Sequence, residues 1–209
     1  GGSNIRAAFI VNGQLKEPFV NERTDKSNVV SLVQQIQRIS SSLRKNHPVI
    51  PESQIQAASL AFPGPVKGTK LLGSKPLEFD EEIDFQNLLG DYFNIPLILG
   101  NDLNMASQGE LALGKFRDTK NFCLLTLSTG IGVGVIINGS LYNRQTESGH
   151  IVIETNSDLA NPCLGHCGCW GAQASGAGIE RTVEKMGRKL SSSEIFEEPQ
   201  FQDVVSKVK

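Results

Sequence analysis

A tight cluster of cysteines and histidines is the first feature of the sequence that could do chemistry. Three of the four cysteines, Cys163, Cys167 and Cys169, lie within seven residues, and His150 precedes the first of them by thirteen. Thiolates and imidazoles are common zinc ligands, and four of them form a closed tetrahedral site of the structural kind. The predicted ligand set is therefore His150, Cys163, Cys167 and Cys169, with His166 as a competing ligand.

Other interpretations of the cluster stay open. A labile disulfide with one spare thiol, or a group of exposed thiols without function, would also fit the C-x3-C-x-C spacing, whereas redox catalysis lacks a C-x-x-C pair. Exposed thiols this close together are a liability in a cytosolic protein, which favours zinc. Cys123 lies in the apolar run 122–127 (FCLLTL) and is predicted to be a buried free thiol. We therefore expect a reducing, cytoplasmic compartment.

A zinc-bound His150 would present its second ring nitrogen to a ligand. Glu147 lies three residues before His150 and is expected near the same place. The metal would then brace a binding site without taking part in the reaction.

Asp102 is the candidate acid–base residue. It lies where a predicted strand, residues 95–99 (IPLIL), gives way to a helix, and ligands of open α/β sheets bind beyond the carboxyl ends of strands. The plainer interpretation is a helix N-cap. The functional one is a base that accepts a hydroxyl proton during phosphoryl transfer, with Asn101 beside it as a hydrogen-bond partner of a sugar hydroxyl.

Two glycine-rich turns, residues 1–4 (GGSN) and 128–134 (STGIGVG), could hold phosphate, because glycine lets backbone N–H groups approach an anion closely. Neither is a Walker loop, since no Gly-Lys-Ser/Thr follows. Each alone fits an ordinary glycine hairpin. Two of them, one in each half of the chain, predict a nucleotide held between two lobes.

The elements that must position these residues alternate between strand and helix along the 209 residues, which predicts an α/β fold. Asn12-Gly13 predicts a hairpin between strands 4–11 and 15–20. Apolar spacing predicts helices over 27–46, capped by Ser27, and over 176–189. The predicted domains are residues 1–115 and 116–209.

Composition limits the partners. The formal net charge is -2 and no basic block stands out, so nucleic-acid binding is not expected of these residues. No apolar run approaches the roughly 20 residues that span a bilayer, and these residues contain no n-region or h-region of a signal peptide. The chain begins without methionine inside a motif and ends after a polar run, so we expect a fragment of a longer protein.

Five segments in order resemble the ROK family of bacterial sugar kinases and related repressors. They are residues 1–6 (GGSNIR), 62–66 (FPGPV), 100–110 (GNDLNMASQGE), 128–134 followed by Asn138-Gly139, and 147–150 (ESGH) with the cysteine cluster.

The resemblance implies an actin-like ATPase (ribonuclease H-like) α/β fold, with two lobes and a cleft between them. It implies that Asp102 is the catalytic base, and that ATP with Mg²⁺, a sugar and a structural Zn²⁺ are bound. The implied sugar-binding residues are Pro63, Gly64, Asn101, Asp102, Glu147 and His150. The implied phosphate-binding residues are Gly2, Ser3, Asn4, Thr129, Gly130 and Gly132. A homodimer is the implied assembly.

Some positions depart from the family pattern. The family's aspartate before the first two glycines would lie upstream of Gly1, and its last helices are absent from the sequence. The cysteine spacing differs from the family's C-x-C followed by a third cysteine. Gly171 stands where the family commonly has a glutamate that contacts the sugar.

The favoured function is an ATP-dependent hexose kinase, glucokinase-like, that phosphorylates the hydroxyl on carbon 6. Two alternatives are a sugar-responsive repressor, with a helix-turn-helix segment upstream of Gly1, and a catalytically silent sugar-binding protein. The sequence does not choose among glucose, fructose and the N-acetylhexosamines.

Overall fold

In the computed structural model, which describes residues 2–142, 146–159 and 165–206, the chain begins with the predicted hairpin. Strand β1 (Asn4–Val11) pairs antiparallel with β2 (Gln14–Arg23). Asn12 and Gly13 both have left-handed backbone angles, with φ of 52° and 75°, as the two central residues of a type I′ turn require. The Asn12-Gly13 turn thus sets the register in which β1 and β2 pair.

Helix α1 (Val29–Asn46) follows and packs against the hairpin. Its N-cap is Asn28, whose side chain accepts a hydrogen bond from the Ser31 amide at 2.8 Å, so the cap predicted at Ser27 is wrong. The amide of Ser27 instead donates to the Asp25 side chain at 2.9 Å. Ser27 therefore belongs to a turn that precedes the helix.

A parallel strand pair forms the centre of the first unit. Strand β3 (Ala58–Phe62) leads into two short antiparallel pairings made by β4 (Val66–Lys67), β5 (Lys70–Leu71) and β6 (Ile83–Asp84). Helix α2 (Phe85–Phe93) then returns the chain to β7 (Leu97–Asn101), which pairs parallel with β3. The two carboxyl ends meet because Phe62 lies opposite Asn101.

The core of this unit lies between the strand pair and helices α1 and α2. Its ten buried members are Leu32, Ile36, Phe62, Leu71, Leu77, Phe79, Ile83, Phe85, Leu89 and Leu97. The rings of Phe62 and Phe85 stack with centroids 4.4 Å apart. Phe62 is the last residue of β3, so this packing fixes the point from which the next loop departs.

Helix α3 (Asp102–Leu113) starts directly after β7. The chain divides into two units between Met105 and Ala106, within this helix. The boundary proposed from sequence, near residue 115, lies after the end of the helix.

The second unit begins with an antiparallel sheet of β8 (Phe122–Leu127), β9 (Ile131–Ile137) and β10 (Ser140–Leu141), in the order β10-β9-β8. Asn138 and Gly139 form the tight turn predicted before β10. Strand β8 alternates between half-buried and exposed residues, and Cys123 lies on the exposed face. The expectation that its thiol is buried is therefore wrong, because the apolar run contributes only one face to the core.

The helices that follow among the described residues of this unit are α4 (Trp170–Ala174), α5 (Gly176–Lys185), α6 (Ser192–Glu197) and α7 (Gln202–Ser206). Their core contains Ile179, Val183, Ile195, Phe201 and Val205. Helix α5 ends at Lys185, before the predicted Lys189, since Gly187 is left-handed at φ 86°. None of the described helices is long and apolar enough to cross a membrane.

Candidate functional site

The junction of β7 and α3 positions the candidate base. Asn101 Oδ1 accepts hydrogen bonds from the amides of Leu103 and Asn104, both at 3.1 Å, so Asn101 caps the helix. The capping role considered for Asp102 is thus taken by its neighbour. Asp102 lies in the first turn, where the helix dipole favours a negative charge.

The Asp102 carboxylate is half-buried, and its Oδ1 accepts from the Leu103 amide at 3.0 Å. No described residue donates a hydrogen bond to its second oxygen, Oδ2. One carboxylate oxygen is therefore held by the backbone while the other is available to a ligand.

The loop after β3 is tied to the same junction. Asn101 Nδ2 donates to the Gly64 carbonyl at 3.1 Å, and the Ser74 hydroxyl donates to the Pro63 carbonyl. Gly64 has φ of 139°, and an added Cβ would lie 2.6 Å from the Gly73 carbonyl, so only glycine fits. The structure thus brings Pro63, Gly64, Asn101 and Asp102 to one edge of the strand pair.

The first glycine turn, Gly2–Asn4, lies against the short 3-10 helix Lys75–Leu77. A Cβ on Gly2 would be 2.6 Å from Pro76 Cβ, and the Ser3 carbonyl accepts from the Thr24 amide at 3.1 Å. The side chains of Ser3 and Asn4 are exposed. The turn is fixed by its backbone.

The second glycine turn joins β8 to β9 and is held by the start of α5. The amides of Gly176 and Ala177 donate to the carbonyls of Ser128 and Thr129 at 2.8 and 3.2 Å. Ser128, Thr129 and Gly130 are exposed. Gly132 lies outside the turn, in β9 opposite Thr126.

Glu147 and His150 lie at a 3-10 turn, Ser148–His150, that packs against β9. The Thr146 hydroxyl donates to the Val133 carbonyl at 2.6 Å and anchors the segment. Glu147 Oε2 is 3.9 Å from His150 Nε2, and the glutamate side chain is 61% exposed. The two predicted sugar-binding residues are therefore adjacent in space.

The candidate metal cluster consists of His150, His166 and Cys169, whose donor atoms all lie within 4.8 Å of one another. Of the predicted ligands, His150 and Cys169 belong to this cluster. Cys167 does not, and its thiol is exposed. Cys163 lies outside the described residues. The third member of the cluster is His166, the competing ligand of the sequence analysis.

Backbone pairing holds the cluster together. Val152 and Cys169 form an antiparallel bridge, and the amides of Ile153 and Glu154 donate to the Gly168 carbonyl at 2.9 and 3.0 Å. Gly168 has φ of 71°, and an added Cβ would be 1.8 Å from the Glu154 carbonyl. Cys169 also caps α4, since its Sγ accepts from the Ala172 amide at 3.3 Å.

Gly171, which stands at the position of the family glutamate, is buried in α4. Its carbonyl accepts a hydrogen bond from the Ser175 hydroxyl at 2.6 Å. A larger side chain there would have to be accommodated at a buried position.

Sequence reasoning missed two residues that shape these sites. Ser74 holds the Pro63 carbonyl across eleven positions, and no local pattern indicates such a contact. Position 168 requires glycine because the Glu154 carbonyl lies where a Cβ would be. In the sequence, only its place between two cysteines pointed to this residue.

Comparison with known proteins decides the family. The model of the ROK family matches residues 1–207. The chain belongs to the ROK family. Its actin-like ATPase fold class, predicted from the sequence, is confirmed by the ROK structures that it resembles.

ROK relatives of two kinds match the chain. The N-acetylmannosamine kinase of Haemophilus influenzae is 29% identical over 204 residues, which cover 94% of this chain and 64% of that protein. The xylose repressor of Bacillus spizizenii is 28% identical over 149 residues, which cover 69% of this chain and 38% of that protein. The chain thus spans less than two thirds of either relative.

Among solved structures, the ROK hexokinase from Thermus thermophilus has a TM-score of 0.77 and 25% sequence identity. The similarity covers 100% of this chain and 71% of that one. The architecture of the described residues is therefore that of a ROK protein.

Proposed function

We propose that the protein to which this ROK chain belongs is an ATP-dependent sugar kinase, with Asp102 as the general base. The observation that carries the proposal is that Asn101 and Asp102 have different roles at the β7–α3 junction. Asn101 caps the helix and holds the Gly64 loop, which leaves Asp102 with a carboxylate oxygen that no described residue occupies.

In the proposed reaction, Asp102 accepts the proton of a sugar hydroxyl, at carbon 6 of a hexose. The hydroxyl oxygen forms a bond to the γ-phosphorus of ATP as the bond to the β-phosphate oxygen breaks, and ADP leaves. Phosphoryl transfer needs positioning and charge stabilisation more than strong basicity, which suits a carboxylate at a helix N-terminus.

The remaining predicted residues have supporting roles. Pro63, Gly64, Asn101, Glu147 and His150 would orient the sugar. The turns at Gly2–Asn4 and Thr129–Gly132 would hold the phosphates, and Mg²⁺ would neutralise charge on the transferred group. A structural zinc at the His/Cys cluster would hold the 3-10 turn that carries His150.

The kinase relative supports this function, and the decisive experiment is ADP release from Mg-ATP by the natural gene product with a panel of hexoses and N-acetylhexosamines. Sugar-dependent turnover names the substrate. Asp102→Asn should lower kcat a hundredfold or more while sugar binding survives, because general bases contribute about 10²–10⁴-fold. The control is Asp91→Asn, which changes an exposed aspartate on α2. Undiminished phosphorylation by Asp102→Asn would reject the assignment.

A second candidate, a sugar-responsive repressor, is favoured by the similarity to the xylose repressor. It predicts sugar binding by calorimetry without turnover, together with a helix-turn-helix segment upstream of Gly1. Sugar binding without turnover or such a segment would indicate a silent sugar-binding protein.

A further inference from the structure

We propose that His166 is a metal ligand of this chain and that Cys167 is not, so that the metal binds the two imidazoles of His150 and His166 together with the Cys169 thiolate. The inference rests on the metal-binding loop of the proposed function but not on the kinase reaction. It changes the donor set expected from the cysteine spacing, because one imidazole replaces one thiolate.

The spacing of the three donor atoms fits a single ion. Zinc binds nitrogen at about 2.0–2.1 Å and sulfur at about 2.3 Å, which places tetrahedral ligand atoms about 3.4–3.6 Å apart. The three donor atoms already lie within 4.8 Å of one another. The two imidazole rings have centroids 5.4 Å apart at 64°, so they face the same space from different directions.

The His166 side chain supplies an independent observation. Its Nε2 is buried and has no hydrogen-bond partner among the described residues. A buried polar nitrogen without a partner is costly, so such atoms are normally satisfied by protein, water or an ion. A metal held by His150 and Cys169 would satisfy this nitrogen.

The exclusion of Cys167 follows from the backbone. In an extended strand, residues two apart point to the same face, so Cys167 and Cys169 would act together. Gly168 lies between them with φ of 71°, which interrupts that alternation. As a result, Cys169 is buried and Cys167 is exposed.

X-ray absorption on the zinc-loaded, unsubstituted chain tests the proposal directly, because nitrogen and sulfur ligands differ in distance by about 0.2–0.3 Å. Two nitrogen ligands are expected. One nitrogen with three sulfurs, or a chain that binds no zinc when zinc is supplied, would overturn the proposal. This measurement does not need kinase activity, so a two-nitrogen spectrum would support this site even if the natural gene product showed no sugar-dependent turnover, which would reject the kinase.

Variants provide a second test through zinc stoichiometry. Cys167→Ser should keep the zinc content of the unsubstituted chain, as should the control Cys123→Ser, which removes another exposed thiol. His166→Ala should lose most of the metal, and His166→Cys should restore it with one more sulfur ligand. Loss of zinc in Cys167→Ser, together with its retention in His166→Ala, would show that Cys167 is the ligand and that His166 is not.

Thiol labelling shows whether Cys167 binds the metal without relying on a variant that folds poorly. In the zinc-loaded chain, Cys167 should react with a thiol reagent as Cys123 does, and chelation should not change its rate. Protection of Cys167 until the metal is removed would mean that it is a ligand.

Discussion

The side-chain amide of Asn101 donates to the backbone carbonyl of Gly64 at 3.1 Å, while the oxygen of the same amide caps α3. One side chain thus joins the loop after β3 to the helix after β7. The loop and the helix carry the predicted sugar-binding and catalytic residues, so their relative position depends on this amide.

Asn101→Asp separates the two roles, because aspartate keeps the capping oxygen and loses the donor to Gly64. We expect the free energy of unfolding to fall by about 1 kcal/mol and sugar affinity, measured by calorimetry, to fall tenfold or more. The control is Asn28→Ala, which removes the cap of α1 at a similar cost of about 1 kcal/mol and should leave sugar affinity unchanged. Equal affinities for both variants would contradict the proposed role of Asn101.

Gly64→Ala should destabilise the first unit and displace the Pro63–Gly64 loop. Its Cβ would lie 2.6 Å from a backbone carbonyl, and its φ of 139° is strained for alanine. We expect a loss of about 2–3 kcal/mol in urea unfolding. Gly109→Ala in α3 is the control: its Cβ meets nothing within 4 Å, and it should stabilise the helix by about 0.5–1 kcal/mol. If Gly64→Ala leaves the free energy of unfolding unchanged, the loop can rearrange to accept the added Cβ.

Gly168→Ala and Gly165→Ala test the close approach at the metal loop. Both glycines are left-handed, with φ of 71° and 68°, so the strain of that backbone conformation is matched. Only the Cβ at residue 168 would clash, at 1.8 Å from the Glu154 carbonyl, whereas the Cβ at residue 165 meets nothing within 4 Å. We expect Gly168→Ala to lower thermal stability well beyond Gly165→Ala and to reduce zinc content. Similar behaviour of the two variants would show that the bridge to Val152 adapts.

Chelation of the metal should loosen residues 147–171 more than the rest of the chain. The reporters are the amides of Ile153, Glu154 and Trp170, which bond to the Gly168 and Ile151 carbonyls. Hydrogen exchange at these amides should speed up after chelation, while the β3 amide of Ala58, which bonds to the Pro96 carbonyl, should not change. Unchanged exchange at all four amides would remove the structural role of the metal.

The pH dependence of stability should include a small contribution from Glu22. Hydrogen bonds from Arg38, and then from Gln35, lower the pKa of the Glu22 carboxyl below its ordinary value. A carboxyl with a lowered folded-state pKa stabilises above its unfolded pKa, and that stability is lost as the pH falls through the folded pKa. Glu22→Gln should therefore lower the free energy of unfolding slightly at pH 7, and this difference should shrink as the pH falls through the folded-state pKa of Glu22.

Urea unfolding of Glu22→Gln beside Glu81→Gln, which changes an exposed carboxylate, measures this contribution. The effect should be small, since Arg38 is 61% exposed and exposed ion pairs contribute little. A larger loss at acidic pH than at neutral pH would contradict the assignment.

Sequence patterns predicted the turns, helices and strand ends that depend on residues adjacent in the chain. Asn12-Gly13 and Asn138-Gly139 form their turns because their own backbone angles suit them. The apolar spacing of residues 27–46 predicted α1 to within a turn, although Asn28 replaces Ser27 as the cap. Asp102 lies at the strand–helix junction where the sequence placed it.

Features that depend on contacts distant in sequence could not be predicted. The link between Asn101 and Gly64 arises only when β3 and β7 pair, and the hold of Ser74 on Pro63 arises from the folding of the segment between them. The exposure of Cys123 depends on which face of β8 is covered. The choice between His166 and Cys167 depends on one left-handed residue, Gly168, whose conformation the spacing of cysteines does not reveal.

The segment from Cys169 to Gly176 is fastened at both ends. Cys169 belongs to the candidate metal cluster, while the amide of Gly176 holds the Ser128 carbonyl of the β8–β9 turn. Only six residues separate them. An insertion or a deletion in this segment would pull the metal loop or the glycine turn out of place. Descendants of this chain would therefore have to keep the length of this segment.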